Sequence, residues 1–386
     1  MIKNHFVKLL SYIVLAVLIR FVILENFIEH PQAVWIHLLA MIFIFGVGIA
    51  YVFRGTAKVI EETTDVLKDR TNLAGGLLQA LGTAFPDMII GVMAAILSLQ
   101  VVGSDPVRAI NLAIIAAATT FGSNIYNIIH ATWCIYRQNL ANTLQKAILM
   151  FPPLKAGGTV LPLSQHRRLP SLKEMDSAIK VLTALTLLTA FVAVSMVLFG
   201  KTNTTALGIP GDLYQLTLPL GIILFILCIG TLFFFRKSHR PETPIAEIAE
   251  EERYYASRKT ARIWLDLVLA GVAILLTAES MVKCMELFSH LTHLPFVLTG
   301  ILAGLIGCFG EMLVVHNFSI NPKGRIGDAI VGVSMDNIVT TLGAAIVAIM
   351  GGIFLGSNAL ILIFVIILAA NTILIGQIST LKNSLK

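Results

Sequence analysis

The chain has 386 residues, of which 56% are apolar and 13% charged, and its formal net charge is +6. Soluble domains carry about 25% charged residues, and a mean hydropathy of +0.85 sets this chain apart from them. The basic residues lie between apolar runs rather than in one patch, which argues against nucleic-acid binding, and no nucleotide-binding motif is present, which argues against ATP-driven pumping.

Apolar runs of about 20 residues read as transmembrane helices. Taken in chain order, ten are predicted, at 6–24, 33–53, 73–98, 107–137, 178–200, 217–236, 263–287, 294–318, 327–350 and 357–378. The predicted class is therefore an all-α polytopic membrane protein with about ten transmembrane helices. The first run has no small-residue cleavage site after it and reads as a retained helix rather than a signal peptide. Lys3 and Lys8 precede it, and the first loop has no Lys or Arg, only acids such as Glu25 and Glu29. The second loop carries Arg54, Lys58, Lys68 and Arg70; the third has Arg108 alone. The fourth, 138–177, is basic through Lys146, Lys155, Arg167, Arg168 and Lys173, and the fifth has Lys201. The sixth, 237–262, is again basic; the eighth has Lys323 and Arg325, and the tail ends with Lys382 and Lys386. This alternation predicts that both termini are cytoplasmic, in a protein of the plasma (cytoplasmic) membrane.

The sixth loop opens with Pro241 and Pro244 and carries Glu247, Glu250, Glu251 and Glu252. It reads as a solvated linker, 237–262, between a first transmembrane half, 1–236, and a second, 263–386. The four cysteines, Cys134, Cys228, Cys284 and Cys308, are scattered in apolar surroundings. They show neither a metal-ligand spacing nor a disulfide framework.

The two halves repeat each other. Gly76 stands eleven residues before Asp87 in the third span, and Gly300 eleven before Glu311 in the eighth. The two spans run in opposite directions, the pattern of inverted repeats in secondary transporters; the repeats are placed at about 73–137 and 294–350. An acid at mid-bilayer costs about 2.5–3.5 kcal/mol and so marks a task. Gly82 and Pro86 beside Asp87, and Gly307 and Gly310 beside Glu311, free backbone carbonyls, which persist at that depth only in a cavity or within protein. Two carboxylates with carbonyls around them suit Ca²⁺, which takes six to eight oxygens. The fourth span adds Gly122-Ser123-Asn124-Ile125-Tyr126-Asn127 and the ninth Gly332-Val333-Ser334-Met335-Asp336-Asn337. Ser123 and Asn127 share a helix face, as do Ser334 and Asn337. Asp336 is a third intramembrane acid. His130 and His316 are candidate proton relays, and Lys283 is placed to neutralise Glu279 at (i, i+4).

Gly82-Thr83-Ala84-Phe85-Pro86-Asp87, the fourth-span motif and Ile306-Gly307-Cys308-Phe309-Gly310-Glu311 resemble the alpha repeats of the Ca²⁺/cation antiporter superfamily, the sodium/calcium exchanger-like membrane proteins. Glu61-Glu62-Thr63-Thr64-Asp65, followed by Gly75-Gly76-Leu77-Leu78, and Glu279 resemble its cation/H⁺ exchanger branch. The resemblance implies an inverted-repeat helical fold working by alternating access. Asp87 and Glu311 then match the central cation-binding acids, and Ser123, Asn127, Ser334 and Asn337 their supporting ligands. Thr83, which stands where proton/calcium exchangers carry Asn, joins that set. The first acid is Asp where the family usually has Glu. Ala84, Gly307 and Cys308 stand where sodium/calcium exchangers use hydroxyls, which favours H⁺ over Na⁺ coupling. The proton-exchanging branch typically has eleven spans, so the terminal helix of the second half is expected to be absent. The expected function is secondary antiport of Ca²⁺, or a related cation, for H⁺. Na⁺-coupled exchange and a passive cation channel are the alternatives. An intramembrane aspartyl protease fits poorly, because Ile326 precedes Gly327-Asp328 where that chemistry uses a glycine. The expected partners are Ca²⁺, H⁺ or Na⁺ and the lipid bilayer, with no nucleic acid, no cofactor apart from the transported cation, and no enzymatic reaction.

Overall fold

The computed structural model describes residues 5–71, 75–152, 158–166, 169–202, 212–238, 253–320 and 326–385. Helix occupies each of the ten predicted spans. Helix α1 is His5–Phe27. Helix α2 begins at Val34–Phe43, widens into a π-helical stretch at Ile44–Phe53 and continues as Arg54–Thr71. Then follow α3 (Gly75–Val101), α4 (Pro106–Leu144), α5 (Leu172–Phe199) and α6 (Leu218–Ser238). The last four are α7 (Thr260–Thr292), α8 (Phe296–Ile320), α9 (Ile326–Ile349) and α10 (Ser357–Asn383).

By length and composition, eight helices among the described residues suffice to cross a membrane, and α8 makes a ninth if its two bent parts form one span. The third predicted span lies in α3, of which Met88–Val101 is the apolar stretch among the described residues. The predicted basic loop after the second span is corrected, since its residues form the helical end of α2. Thr56, Ile60, Thr63, Thr64 and Leu67 recur at helical spacing and are buried, while Arg54 and Lys58 face out. Such a stripe folds as an amphipathic helix against a neighbour; Leu67 packs with Tyr255 and Ile263 at the start of α7. The charges that mark this segment as a loop occupy its outer face.

Helices α4 and α9 form the interior: 83% of the most apolar stretch of each is buried, against 22% for α1 and 28% for α6. The outer helices turn Ile42, Leu187, Val194 and Phe234 outward, as lipid-facing surfaces require. Helices α1, α2 and α7 share a separate apolar cluster around Ala16, Ile19, Ile44, Val52 and Ala273.

Local chemistry sets the helix ends. Asp105 caps α4, its side chain accepting from the Arg108 amide at 3.0 Å, with Pro106 in the first turn. Ser171 and Glu174 form a reciprocal capping box at the start of α5. Short antiparallel strands close the ends of the bundle. β1 (Ile148–Leu149) pairs with β2 (Thr159–Val160). β4 (Leu213–Gln215) lies between β3 (Lys201–Thr202) and β5 (Phe354–Gly356), in register Lys201↔Tyr214 and Tyr214↔Leu355.

The closest packing joins α4 to α8. A Cβ added at Gly304 would lie 2.5 Å from the Ser123 nitrogen and 2.7 Å from the Thr119 carbonyl oxygen; one at Gly122 would lie 2.9 Å from the Ile301 Cα. Glycines spaced four apart let membrane helices meet backbone to backbone, and Gly300 and Gly304 supply that spacing.

A two-pronged ion pair joins α4 to α7. Arg108 Nε donates to Glu286 Oε1 at 2.6 Å, and Nη2 donates to Oε2 at 2.9 Å. Glu286 is buried while Arg108 is 44% exposed, so solvent screens part of the attraction. Glu286→Ala is expected to lower thermal stability by the equivalent of roughly 1–3 kcal/mol. The exchanged pair, Arg108→Glu with Glu286→Arg, is expected to recover part of that loss in a double-mutant cycle of melting temperatures.

Candidate cation site

The site lies where α8 bends. The axis turns by 51° between Phe296–Phe309 and Glu311–Ile320. Gly310 stands at the break and Gly307 three residues before it, and helix kinks commonly fall at such small residues. Glu311 is the first residue after the bend, and it is buried.

Asn127 on α4 draws three oxygen-bearing groups together. Its amide Nδ2 donates to Glu311 Oε2 and, at 3.1 Å, to Asn337 Oδ1 on α9. Both amide hydrogens are then used. Asn127 Oδ1 remains buried without a hydrogen-bond partner among the described residues, as does Asn337 Nδ2. Asn127 is 1% exposed and Asn337 0%. An unpartnered buried polar atom costs about 1–3 kcal/mol, so an arrangement that leaves a carbonyl oxygen free beside a carboxylate has a ready ligand for a hard cation.

A parallel link joins α4 to α9 one turn away. Asn124 Nδ2 donates to Thr341 Oγ1 at 3.4 Å, and that hydroxyl donates to the Asn337 carbonyl at 2.8 Å. Asn124 belongs to the fourth-span motif, whereas Thr341 lies outside the sequence motifs, although it follows Asn337 by four residues, one turn on the same face.

Of the predicted ligands, Asn127, Glu311 and Asn337 meet directly. Ser123 and Ser334 are buried in the same layer of helices but turn their hydroxyls to their own backbones, Ser123 to Thr120 at 2.9 Å and Ser334 to Ile330 at 2.7 Å. The side chains of Asp87 and Thr83 lie outside the described residues; their backbones belong to α3. Two neighbours locate that helix. Gly91, one turn beyond Asp87, abuts Thr120 of α4, and Met88 abuts Gly343 of α9. The α3 backbone near residue 87 therefore runs beside both helices that carry the amides. Asp336 is buried, and its carbonyl accepts from Thr340 at 3.0 Å.

The predicted pairing of Lys283 with Glu279 is present at 3.2 Å, and Arg20 joins Glu279 at 2.8 Å. These pairs lie near a cavity of about 550 Å³ lined by Glu29, Asp105, Arg108, Lys283 and Glu286. Neither Asn127 nor Glu311 lines it. It is edged by ion pairs that already neutralise one another: Lys283 with Glu29, and Arg108 with Glu286. The Glu311 cluster has the better donor set for a cation.

No family model matches the sequence, and no curated protein matches it. Solved structures do match in shape. One, described as native YfkE, has a TM-score of 0.56 at 14% identity over 98% of this chain and 96% of that one. Another, the H⁺/Ca²⁺ exchanger CAX, has a TM-score of 0.53 at 13% identity, covering 97% of this chain and 93% of that one. The chain shares the fold of the H⁺/Ca²⁺ exchanger CAX. The likeness to both is one of overall backbone fold. In this CAX-like fold, the bend at Glu311 and the α4–α9 amide pair occupy the middle of the helical bundle.

Asn127→Ala is expected to weaken Ca²⁺ binding by about 10–100-fold, as loss of a group that orients a metal ligand does. Asn124→Ala, which removes only the long bond to Thr341, is expected to change it little. Equilibrium binding of radiolabelled Ca²⁺ to the purified protein checks both.

Proposed function

We propose that this protein is a secondary antiporter that moves Ca²⁺, or a related hard cation, across a membrane in exchange for H⁺. The observation that carries this reading is the buried oxygen cluster of Glu311, Asn127 Oδ1 and Asn337 Oδ1 at a helix bend, with the free Asn127 oxygen beside the carboxylate. The donors are oxygens, which suit Ca²⁺ rather than soft metals. The backbone likeness to a protein described as an H⁺/Ca²⁺ exchanger supports the same reading.

Exchange needs a group that holds either ion but not both. A buried carboxylate does this, because desolvation favours its protonated form and a bound cation favours its ionised form. Glu311 is placed for that alternation, and Asp87, on the neighbouring helix, is the proposed second acid. Ser123, Ser334 and Thr83 complete the proposed ligand set. The proposed halves, 1–236 and 263–386 around the linker 237–262, would rock against each other to alternate access. The absence of hydroxyls at Ala84, Gly307 and Cys308 favours H⁺ over Na⁺ as the counter-ion.

Proteoliposomes loaded at low pH, or with Na⁺, and diluted into radiolabelled Ca²⁺ test the coupling. Uptake driven by the outward H⁺ gradient and not by Na⁺ is expected. Uptake driven only by Na⁺ would place the chain in the sodium-coupled class, and uptake indifferent to both gradients would mean a channel.

A further inference from the structure

A second buried cluster lies beyond the oxygen site, and the proposed exchange does not use it. His130 and Cys134 are four apart on α4 and therefore share a face; His316 comes from α8. His130 is 7% exposed, and Cys134 and His316 are 0% exposed. One ligand atom from each, two ring nitrogens and the Cys134 Sγ, lie within 4.8 Å of one another. Cys134 Sγ is 3.6 Å from His130 Nε2, and the two imidazole rings are 5.7 Å apart and nearly parallel, at 16°. Neither ring nitrogen of His316 has a hydrogen-bond partner among the described residues. A fully buried imidazole without a partner on either nitrogen is costly, and a ligand that accepts a nitrogen lone pair relieves it.

Tetrahedral zinc, with Zn–S about 2.3 Å and Zn–N about 2.0–2.1 Å, separates a sulfur from a nitrogen ligand by about 3.6 Å. The Cys134–His130 pair already has that separation, and His316 need move by only about an ångström to join it. One thiolate and two imidazoles form a soft donor set that favours zinc-like ions over Ca²⁺. This cluster is therefore chemically distinct from the Glu311 site, although Glu311 precedes His316 by only five residues and Asn127 precedes His130 by three.

We propose that His130, Cys134 and His316 bind one thiophilic divalent transition-metal ion of the Zn²⁺ class, linking α4 to α8. On binding, the Cys134 thiol gives up its proton to solvent and its sulfur bonds the metal, with no redox change. The three protein ligands leave a fourth position for water.

The test is a Co²⁺ titration of the full chain, purified metal-free in detergent. The expected result is one equivalent bound, with the intense visible bands of tetrahedral Co²⁺ and a near-ultraviolet thiolate-to-Co²⁺ band, all displaced by Zn²⁺. Cys134→Ser is expected to remove the thiolate band, and His316→Gln to weaken binding by about tenfold or more. Glu311→Gln is expected to leave the spectrum unchanged. A variant with Cys228, Cys284 and Cys308 all replaced by Ala, retaining Cys134, is expected to keep the band, so the result does not hang on the folding of Cys134→Ser. Zn²⁺ should also raise the melting temperature of the wild type, since it binds only the folded arrangement. Absence of a thiolate band in the wild type, its persistence in Cys134→Ser, or its loss in the triple variant would overturn the proposal.

Discussion

Glu311→Gln is expected to abolish gradient-driven Ca²⁺ uptake by the reconstituted protein while leaving its melting temperature close to wild type. The substitution keeps the size of the side chain and an oxygen to accept from Asn127 Nδ2, so the packing around the α8 bend is retained. What it removes is the charge. Stripping one partner from a buried charged contact costs roughly 3–5 kcal/mol, which is about two to four orders of magnitude in affinity. The amide also cannot exchange a proton for the cation, so coupling fails as well as binding. Asp87→Asn is the companion variant and is expected to act in the same direction. If Glu311→Gln transports normally, Glu311 is a buried structural acid, and the site must be sought elsewhere in the bundle.

The second large effect is expected at the contact of α4 with α8. Gly304→Val should prevent recovery of a monodisperse folded protein. Its new Cβ would meet backbone atoms, Ser123 N at 2.5 Å and Thr119 O at 2.7 Å, and backbone in the middle of α4 has no rotamer to change. Overpacking a core usually costs about 1–3 kcal/mol when side chains can give way; here the two helices must separate, and the Asn127–Glu311 contact separates with them. Gly271→Ala on α7 is the matched control. No heavy atom lies within 4 Å of its added Cβ, so no loss is expected. Size-exclusion profiles in detergent distinguish the two. A Gly304→Val protein that elutes and melts like the wild type would show that α4 and α8 can pack further apart than the structure has them.

Much of the fold is legible in the sequence because lipid imposes a single pattern. A helix that crosses a bilayer needs a long apolar run, and such runs coincide with nearly all the long helices. Where that pattern fails, other forces decide. The end of α2 reads as a charged loop because Arg54 and Lys58 are conspicuous, whereas the buried stripe from Thr56 to Leu67 emerges only when the segment is read at helical spacing.

The site was partly legible for a similar reason. Glu311 and the two Asn-bearing motifs stand out because polar groups are expensive in apolar spans, and glycines near an acid signal broken helix. The contacts themselves are long-range. Asn127 meets Asn337 across 210 positions of sequence, and no local pattern encodes that. Ser123 and Ser334, candidates by helix face and by the family resemblance, turn their hydroxyls to carbonyls of the preceding turn, as hydroxyls on a helix readily do. The cysteines show the limit most clearly. The cysteines have no ligand spacing among themselves; the structure sets Cys134 beside His130, four residues away, and His316, brought in by the glycine contact of α4 with α8. The (i, i+4) pair was visible in the sequence, and the third member was not.

The central claim is that a cation bound at Glu311 is exchanged for another ion. Its most direct test is concentrative uptake: proteoliposomes with an acidic lumen are placed in radiolabelled Ca²⁺ buffered below the internal Ca²⁺ level, with the membrane potential clamped at zero. The expected result is Ca²⁺ accumulation against its own gradient, with simultaneous alkalinisation of the lumen, and neither signal from vesicles carrying Glu311→Gln. Ca²⁺ that only runs down its gradient, or accumulation unchanged by Glu311→Gln, would contradict the account.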